Sequence, residues 1–171
     1  MLYNYSSSGL QLFVSLVRSV LEFASIVWCP TNIGDINRIE SVQKQFLLFV
    51  LNHLNWSDPY ILPPYTSRLN LVAMDTLENR RKAGNATWIL KLLRGEIDSP
   101  SLLQKLRISV PRTSRTYTGF LRMEFDTRSF ILQQPFLNII KDFNDAYPYI
   151  NFENSIYVNK SKILCFLRNS L

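Results

Sequence analysis

The first segment with a clear amphipathic pattern is residues 10–28. At about 100° per residue, its polar side chains fall on one narrow stripe and apolar side chains cover most of the remaining circumference. The stripe consists of Gln11, Ser15, Arg18, Glu22 and Ser25. The pattern predicts one helix that is buried on more than half of its circumference. We expect it to end before Pro30, because a residue that precedes proline disfavours the α conformation.

A second helix is predicted for residues 35–51. Its predicted apolar face consists of Ile36, Ile39, Val42, Phe46, Phe49 and Val50. Its predicted polar face consists of Arg38, Ser41, Lys44 and Gln45, with Leu48 among them. The connection between the first two helices is short and contains Gly34, so the two are expected to pack as an antiparallel hairpin.

The third long helix is predicted for residues 76–94, and Gly95 is placed to end it. Short helices are predicted at 67–72 and at 99–106, the latter opened by Ser99 and Pro100.

Residues 107–130 form an irregular basic segment with an extended piece at 120–125. Further helices are predicted at 135–147 and, loosely attached, at 160–169. The predicted fold is therefore all-α: a helical hairpin plus a third long helix in a small bundle, followed by the basic segment and C-terminal helices.

Composition favours a folded chain with an anionic partner. The chain has 171 residues, of which 47% are hydrophobic, and its formal net charge is +6. The positive charge is concentrated, because residues 77–128 hold eleven basic and five acidic side chains. Local density of positive charge is what phosphate binding requires.

The inventory of reactive residues argues against an enzyme. The two cysteines are far apart and there is a single histidine, His53, which is too few ligands for a structural zinc site. Motifs for phosphate loops, serine hydrolases and zinc proteases are absent from the sequence. We therefore expect no catalytic residue, no metal site and no cofactor in this chain. No signal peptide or membrane span is predicted, and both thiols are expected to be reduced in an intracellular protein.

A row of basic and small residues follows the third helix. Arg80, Gly84, Thr87, Lys91 and Arg94 lie on one stripe between two apolar faces. One interpretation is a track for a nucleic-acid backbone, in which small residues allow close approach and cations hold phosphate. The alternative is a solvated face that only keeps the helix soluble.

The basic segment gives a second candidate. It interleaves five arginines with aromatic residues, a combination that suits single-strand binding. The alternative is an irregular segment whose aromatic side chains anchor it to the core. Together the two candidates give these nucleic-acid-binding residues: Arg80, Arg81, Lys82, Thr87, Lys91, Arg94, Arg112 and Arg115.

Five segments, in the same order, resemble the C-terminal region of jockey-like non-LTR retrotransposon reverse transcriptases. They are SLVRSVLEFASIVWCP (15–30), INRIESVQKQFLLFVL (36–51), LPPYTSRLNLVAMDTLENRRK (62–82), ISVPRTSRTYTGFLRMEF (108–125) and FNDAYPYINFENS (143–155). In that family an aromatic-x-Asp-Asp motif in the palm binds magnesium, and this sequence lacks it. The resemblance implies a fragment that follows the palm and has no polymerase activity of its own.

The resemblance also implies an organisation and partners. Residues 1–9 match poorly, residues 10–106 correspond to a helical thumb-like domain, and residues 107–171 correspond to a C-terminal extension with a loop and helices. The expected partners are an RNA or RNA–DNA duplex, bound by its backbone without base preference, and the polymerase palm. Membrane association is not expected. Two other interpretations remain open: a helical protein-interaction module and a non-functional relic.

Overall fold

The computed structural model describes residues 8–53, 63–109, 119–123 and 130–169. Helices form most of these ranges, which contain one two-stranded sheet, so the all-α prediction is confirmed. The chain divides into two compact units, Met1–Ser25 with Asn32–Glu78, and Ile26–Thr31 with Asn79–Leu171. This division leaves most of the third long helix with the C-terminal segments.

The first helical segment is broken, whereas the sequence predicted one helix over 10–28. A π-helix at Phe13–Arg18 continues into α1, Ser19–Glu22. The chain then leaves the helix, because Phe23 is extended and Ala24 adopts a left-handed φ of 50°. Helix α2, Ser25–Trp28, follows that bend.

The predicted burial of this segment is wrong. Phe13 is buried, but Leu16 is 63% exposed, Val20 71% and Phe23 77%. The charged side chains of Arg18 and Glu22, an ion pair at 3.8 Å, are less exposed than these apolar ones. The helical wheel failed here because a π-helix, with i→i+5 hydrogen bonds, does not advance by 100° per residue.

Helix α3, Ile33–His53, confirms the second predicted helix. The rings of Phe13 and Phe46 stack at 4.0 Å between centroids. These residues are nearly equidistant along the chain from Pro30, as an antiparallel hairpin requires. The buried face differs from the predicted one, since Phe49 is 54% exposed. The buried positions of α3 are Glu40, Gln43, Leu47, Val50 and Leu51.

Long-range hydrogen bonds explain why two polar residues of α3 are buried. Glu40 accepts the hydroxyl hydrogen of Tyr65, in α4 (Tyr65–Leu71), and the backbone N–H of Leu77 at 3.2 Å. Gln43 donates from Nε2 to Tyr65 Oη at 3.1 Å and to the Asp75 carbonyl at 2.9 Å. Burial and the contact with Glu40 raise the pKa of Tyr65, so its hydroxyl remains a donor. The carboxylate of Glu40 thereby caps the N-terminus of the helix that begins at Leu77.

Helix α5, Leu77–Leu93, lies within two residues of its predicted bounds. Gly95 ends it as predicted, with a φ of 73°. Gly95 N–H donates to the Leu92 carbonyl at 3.2 Å and Glu96 N–H donates to the Lys91 carbonyl at 3.0 Å. This pair of bonds is a Schellman motif, whose left-handed position favours glycine.

The second unit is completed by α6 (Pro100–Leu103), strands β1 (Leu106–Ile108) and β2 (Leu121–Met123), α7 (Phe130–Ala146) and α8 (Ile156–Asn169). The core includes Ile89, Leu90, Leu121, Ile139, Ile140, Phe143 and Ile163. The predicted apolar face of the helix at 135–147 is confirmed, although the helix begins earlier. The final helix is firmly packed, because Ile163 is 1% exposed, so the expectation of loose attachment is wrong.

Candidate functional site

The basic stripe expected on α5 is at most half exposed, and Arg81, a further residue of the predicted set, lies beside it. Arg81 is 4% exposed and Thr87 is 6% exposed. The hydroxyl of Thr87 donates to the carbonyls of Ala83 and Gly84, both at 2.9 Å, within its own helix. Burial therefore removes Arg81 and Thr87 from any track that a nucleic-acid backbone could follow.

Arg94, at the end of the same stripe, holds a loop. Its guanidinium donates to the backbone carbonyls of Asn151, Phe152 and Asn154, and it pairs with Glu96 at 3.5 Å. With three hydrogen bonds and one ion pair to the protein, Arg94 has a structural role. The remaining predicted cations of α5 are partly exposed: Arg80, Lys82 and Lys91. Arg112 and Arg115 lie outside the described residues.

The two strands bring together a pair of arginines that the sequence did not place side by side. We call β1 and β2 together the basic ribbon. They pair antiparallel, and Arg107 stands directly opposite Arg122. Both are exposed, while Leu121 on the other face is 1% exposed and joins the core. The Cβ atoms of directly opposed residues lie about 5 Å apart, so the two arginine side chains leave the sheet from one small area.

The segment of sequence that contains the basic ribbon carries charge of one sign. Residues 99–123 contain no aspartate or glutamate and hold five cations. These are Lys105, Arg107, Arg112, Arg115 and Arg122. The alternation in LRI and LRM, with an arginine between two apolar residues, was the sequence signal for a strand with one basic face.

Helix α7 fixes the position of the basic ribbon. The Leu121 N–H donates to Asn144 Oδ1 at 2.8 Å, and Asn144 Nδ2 donates to the Leu121 carbonyl at 2.9 Å. Gly119, with a φ of 79°, lies so close to Asn144 that an added Cβ would be 2.4 Å from its Nδ2. The arginine pair is therefore held on a rigid support, as a binding surface requires.

A buried polar cluster lies elsewhere in the second unit. Asn85 Nδ2 donates to Asp142 Oδ2 at 2.8 Å and contacts Cys29 Sγ at 3.6 Å. Burial is the main reason that the pKa of Asp142 is raised to about 6 and that the pKa of Cys29 is raised as well. A thiol with a raised pKa is a poor nucleophile at neutral pH. This cluster supports a structural role better than catalysis.

The first unit exposes an apolar row. We define it by Leu12, Leu16, Val20 and Phe23, which are 58%, 63%, 71% and 77% exposed. Leu16 lies in the π-helix, Val20 lies in α1, and Phe23 lies at the bend that ends α1. Exposed apolar rows of this kind mark surfaces that another protein covers.

Other features of the described residues add little chemistry. Both cysteines are free. In the described ranges, no group of three or more histidine, cysteine or acidic residues is arranged to hold a metal ion. No helix in those ranges is both long and apolar enough to cross a membrane. Comparison of the chain with protein-family models, curated proteins and solved structures finds no match.

Proposed function

We propose that this chain binds the phosphate backbone of nucleic acid, without base preference, through the basic ribbon. The observation that carries the proposal is the register that sets Arg107 opposite Arg122 on an exposed strand face. A phosphate placed between two guanidinium groups can accept hydrogen bonds from both.

The local sequence supports the same partner. The connection between the strands adds Arg112 and Arg115, and Lys105 precedes the first strand by one residue. A segment of sequence with five cations and no carboxylate attracts a polyanion over a distance of about 10 Å at ordinary salt. The contact would be made to the backbone and would not distinguish bases.

We also propose that the chain corresponds to the thumb and C-terminal extension of a jockey-like reverse transcriptase. The five ordered segments that resemble that family support this origin, and the helical fold agrees with a thumb. The ligand is then an RNA–DNA duplex held by its backbone. Polymerase activity would need the magnesium-binding palm, so the function assigned to this chain is binding alone.

The test is the salt dependence of duplex binding. Fluorescence anisotropy would measure the affinity of the chain for a labelled RNA–DNA duplex of mixed sequence between 50 and 200 mM salt. Removing two phosphate contacts by R107A/R122A is expected to lower the slope of log K against log salt by about 2 and to weaken binding at least tenfold. The matched control, R38A/K141A, removes the same charge from two exposed cations outside the ribbon.

The outcome depends on the difference between these two variants. If R38A/K141A weakens binding as much as R107A/R122A, general charge and not the ribbon is responsible. A third variant, R80A/K91A, tests the part of the α5 stripe that remains partly exposed. If only R80A/K91A weakens duplex binding strongly, the interface lies on α5 and not on the basic ribbon.

A second function, a helical protein-interaction module, is favoured by the apolar row. In a reverse transcriptase, the palm would be the natural occupant of such a face. Sedimentation of V20D/F23D against the unchanged chain tests this role, because a charged row cannot stay associated through apolar contacts. A stable, salt-insensitive dimer that V20D/F23D abolishes would favour the interaction module.

A further inference from the structure

A second surface of the same unit has the chemistry of a nucleotide site. A pocket of about 700 Å³ lies between the turn at Tyr147–Tyr149 and helix α8. Ligand pockets commonly have volumes of about 300–1,000 Å³, which includes this one. The side chains that matter here are Tyr149, Asn151, Lys162, Cys165, Phe166 and Asn169.

Two aromatic rings form one wall of the pocket. Tyr149 and Phe166 stack with 4.1 Å between their centroids and 22° between their planes. Tyr149 remains 43% exposed. A stacked pair that is still accessible can extend its stack by one more planar ring, and base–aromatic stacking tolerates every base.

The polar groups of the pocket select an anion. Lys162 is exposed and lies one helical turn before Phe166. The described residues that line the pocket include this cation and no carboxylate. Asn151 and Asn169 supply amide groups that both donate and accept. Asn151 is also fixed in place, because its Oδ1 accepts the Glu153 N–H at 2.8 Å and its carbonyl accepts Asn159 Nδ2 at 2.9 Å.

We propose that this pocket binds one nucleotide unit, with its base stacked on Tyr149 and its phosphate held by Lys162. The inference rests on the proposed nucleic-acid function and adds a contact to a base, which the basic ribbon does not provide. The unit could belong to a single strand or be a free nucleotide. Stacking would add affinity without reading sequence, since all four bases offer a planar face.

Cys165 gives a direct readout of occupancy. It is exposed and lines the pocket, whereas Cys29 is half-buried and does not. The experiment measures the rate of N-ethylmaleimide alkylation of both cysteines in the full chain by peptide mass spectrometry. The probes are octaadenylate RNA, AMP and adenosine, and anisotropy in parallel reports whether octaadenylate is bound.

A probe bound in the pocket is expected to slow alkylation of Cys165 at least fivefold, while the alkylation rate of Cys29 stays constant. Protection by octaadenylate but not by AMP identifies a strand as the source, and protection by AMP identifies a free nucleotide. Y149A is expected to lower the affinity of the protecting probe by roughly five- to a hundredfold. Y157A, which removes a tyrosine that is 83% exposed and outside the pocket, is the matched control.

Failures of the two proposals are distinguishable. Bound octaadenylate with an unchanged Cys165 rate overturns the pocket and leaves the ribbon intact. Protection that survives Y149A also overturns it. Protection of Cys165 by AMP, in a chain that shows no binding of octaadenylate or duplex, supports the pocket and overturns the ribbon. If the chain binds none of the probes and Cys165 is not protected, both proposals are overturned.

Discussion

Asp142 carries a cost of burial that can be measured through pH. Burial raises its pKa from 3.8 to about 6, and the hydrogen bond from Asn85 and the charge of Lys82 offset only part of this shift. Below pH 3.8 the carboxyl is protonated in both the folded and the unfolded chain. Above pH 6 it is ionised in both, and the folded chain bears the whole cost. The contribution of Asp142 to the free energy of unfolding is therefore expected to fall by roughly 2–3 kcal/mol as pH rises from 4 to 7.

The variant D142N isolates this term. Its amide oxygen can accept the same bond from Asn85, but it carries no charge to bury. We expect D142N to be more stable than the unchanged chain by about 3 kcal/mol at pH 7.5 and to show little difference near pH 4. Urea unfolding followed by circular dichroism at both pH values measures this. D98N, at an exposed aspartate, is the control and should change stability by less than about 0.5 kcal/mol. A D142N chain no more stable at pH 7.5, or equally stabilised at both pH values, would refute the reasoning.

Two further predictions concern backbone geometry and the support of the ribbon. G84A should stabilise the chain by about 0.5–1 kcal/mol, because Gly84 is inside a helix and an added Cβ meets nothing within 4 Å. G95A should destabilise it by about 1 kcal/mol, because φ is 73° there. The measurement is the thermal unfolding midpoint of G84A and G95A. Midpoint shifts of the same sign would contradict the helical conformation at Gly84 or the left-handed conformation at Gly95. N144A should cost about 2 kcal/mol by removing both bonds to Leu121. Exchange of the Leu121 amide hydrogen, slow in the unchanged chain and fast in N144A, is the specific measurement; unchanged exchange would show that the core alone holds the strand.

Helix positions could be predicted from the sequence because their ends are marked locally. Pro30 and Gly95 stop helices through their own backbone preferences, which need no knowledge of the rest of the fold. The apolar face of α7 was also predictable, because Ile139, Ile140 and Phe143 pack against a core in a regular helix.

The faces of α3 and α5 could not be predicted in this way. Glu40 and Gln43 are buried because they bond to Tyr65, Asp75 and Leu77, which are 22 to 37 residues further along the chain. A helical wheel assigns polar residues to solvent and has no access to such partners. The same limit applies to the stripe on α5, where Thr87 is buried, and to the neighbouring Arg81, although the sequence placed both among candidate binding residues.

Only part of the candidate site could be predicted from the sequence. A basic segment near residues 107–130 was evident from composition, and an extended piece at 120–125 was expected. The opposition of Arg107 and Arg122 depends on strand register, and register is set by which residues enter the core. The sequence therefore indicated the charge of the interface but not its arrangement.

The π-helix at Phe13–Arg18 has a consequence for changes in chain length. A π-turn accommodates one residue more than an α-turn between hydrogen-bonded groups. Deleting a single residue there would let α-helical bonding run unbroken, and because the π-turn holds its extra residue within about the same rotation, the residues on either side would keep their relative orientation. Phe13, which is buried against Phe46, and Val20, which is exposed, would then keep their present sides. The segment can therefore absorb the loss of one residue locally, and relatives that lack one residue here would present the same faces.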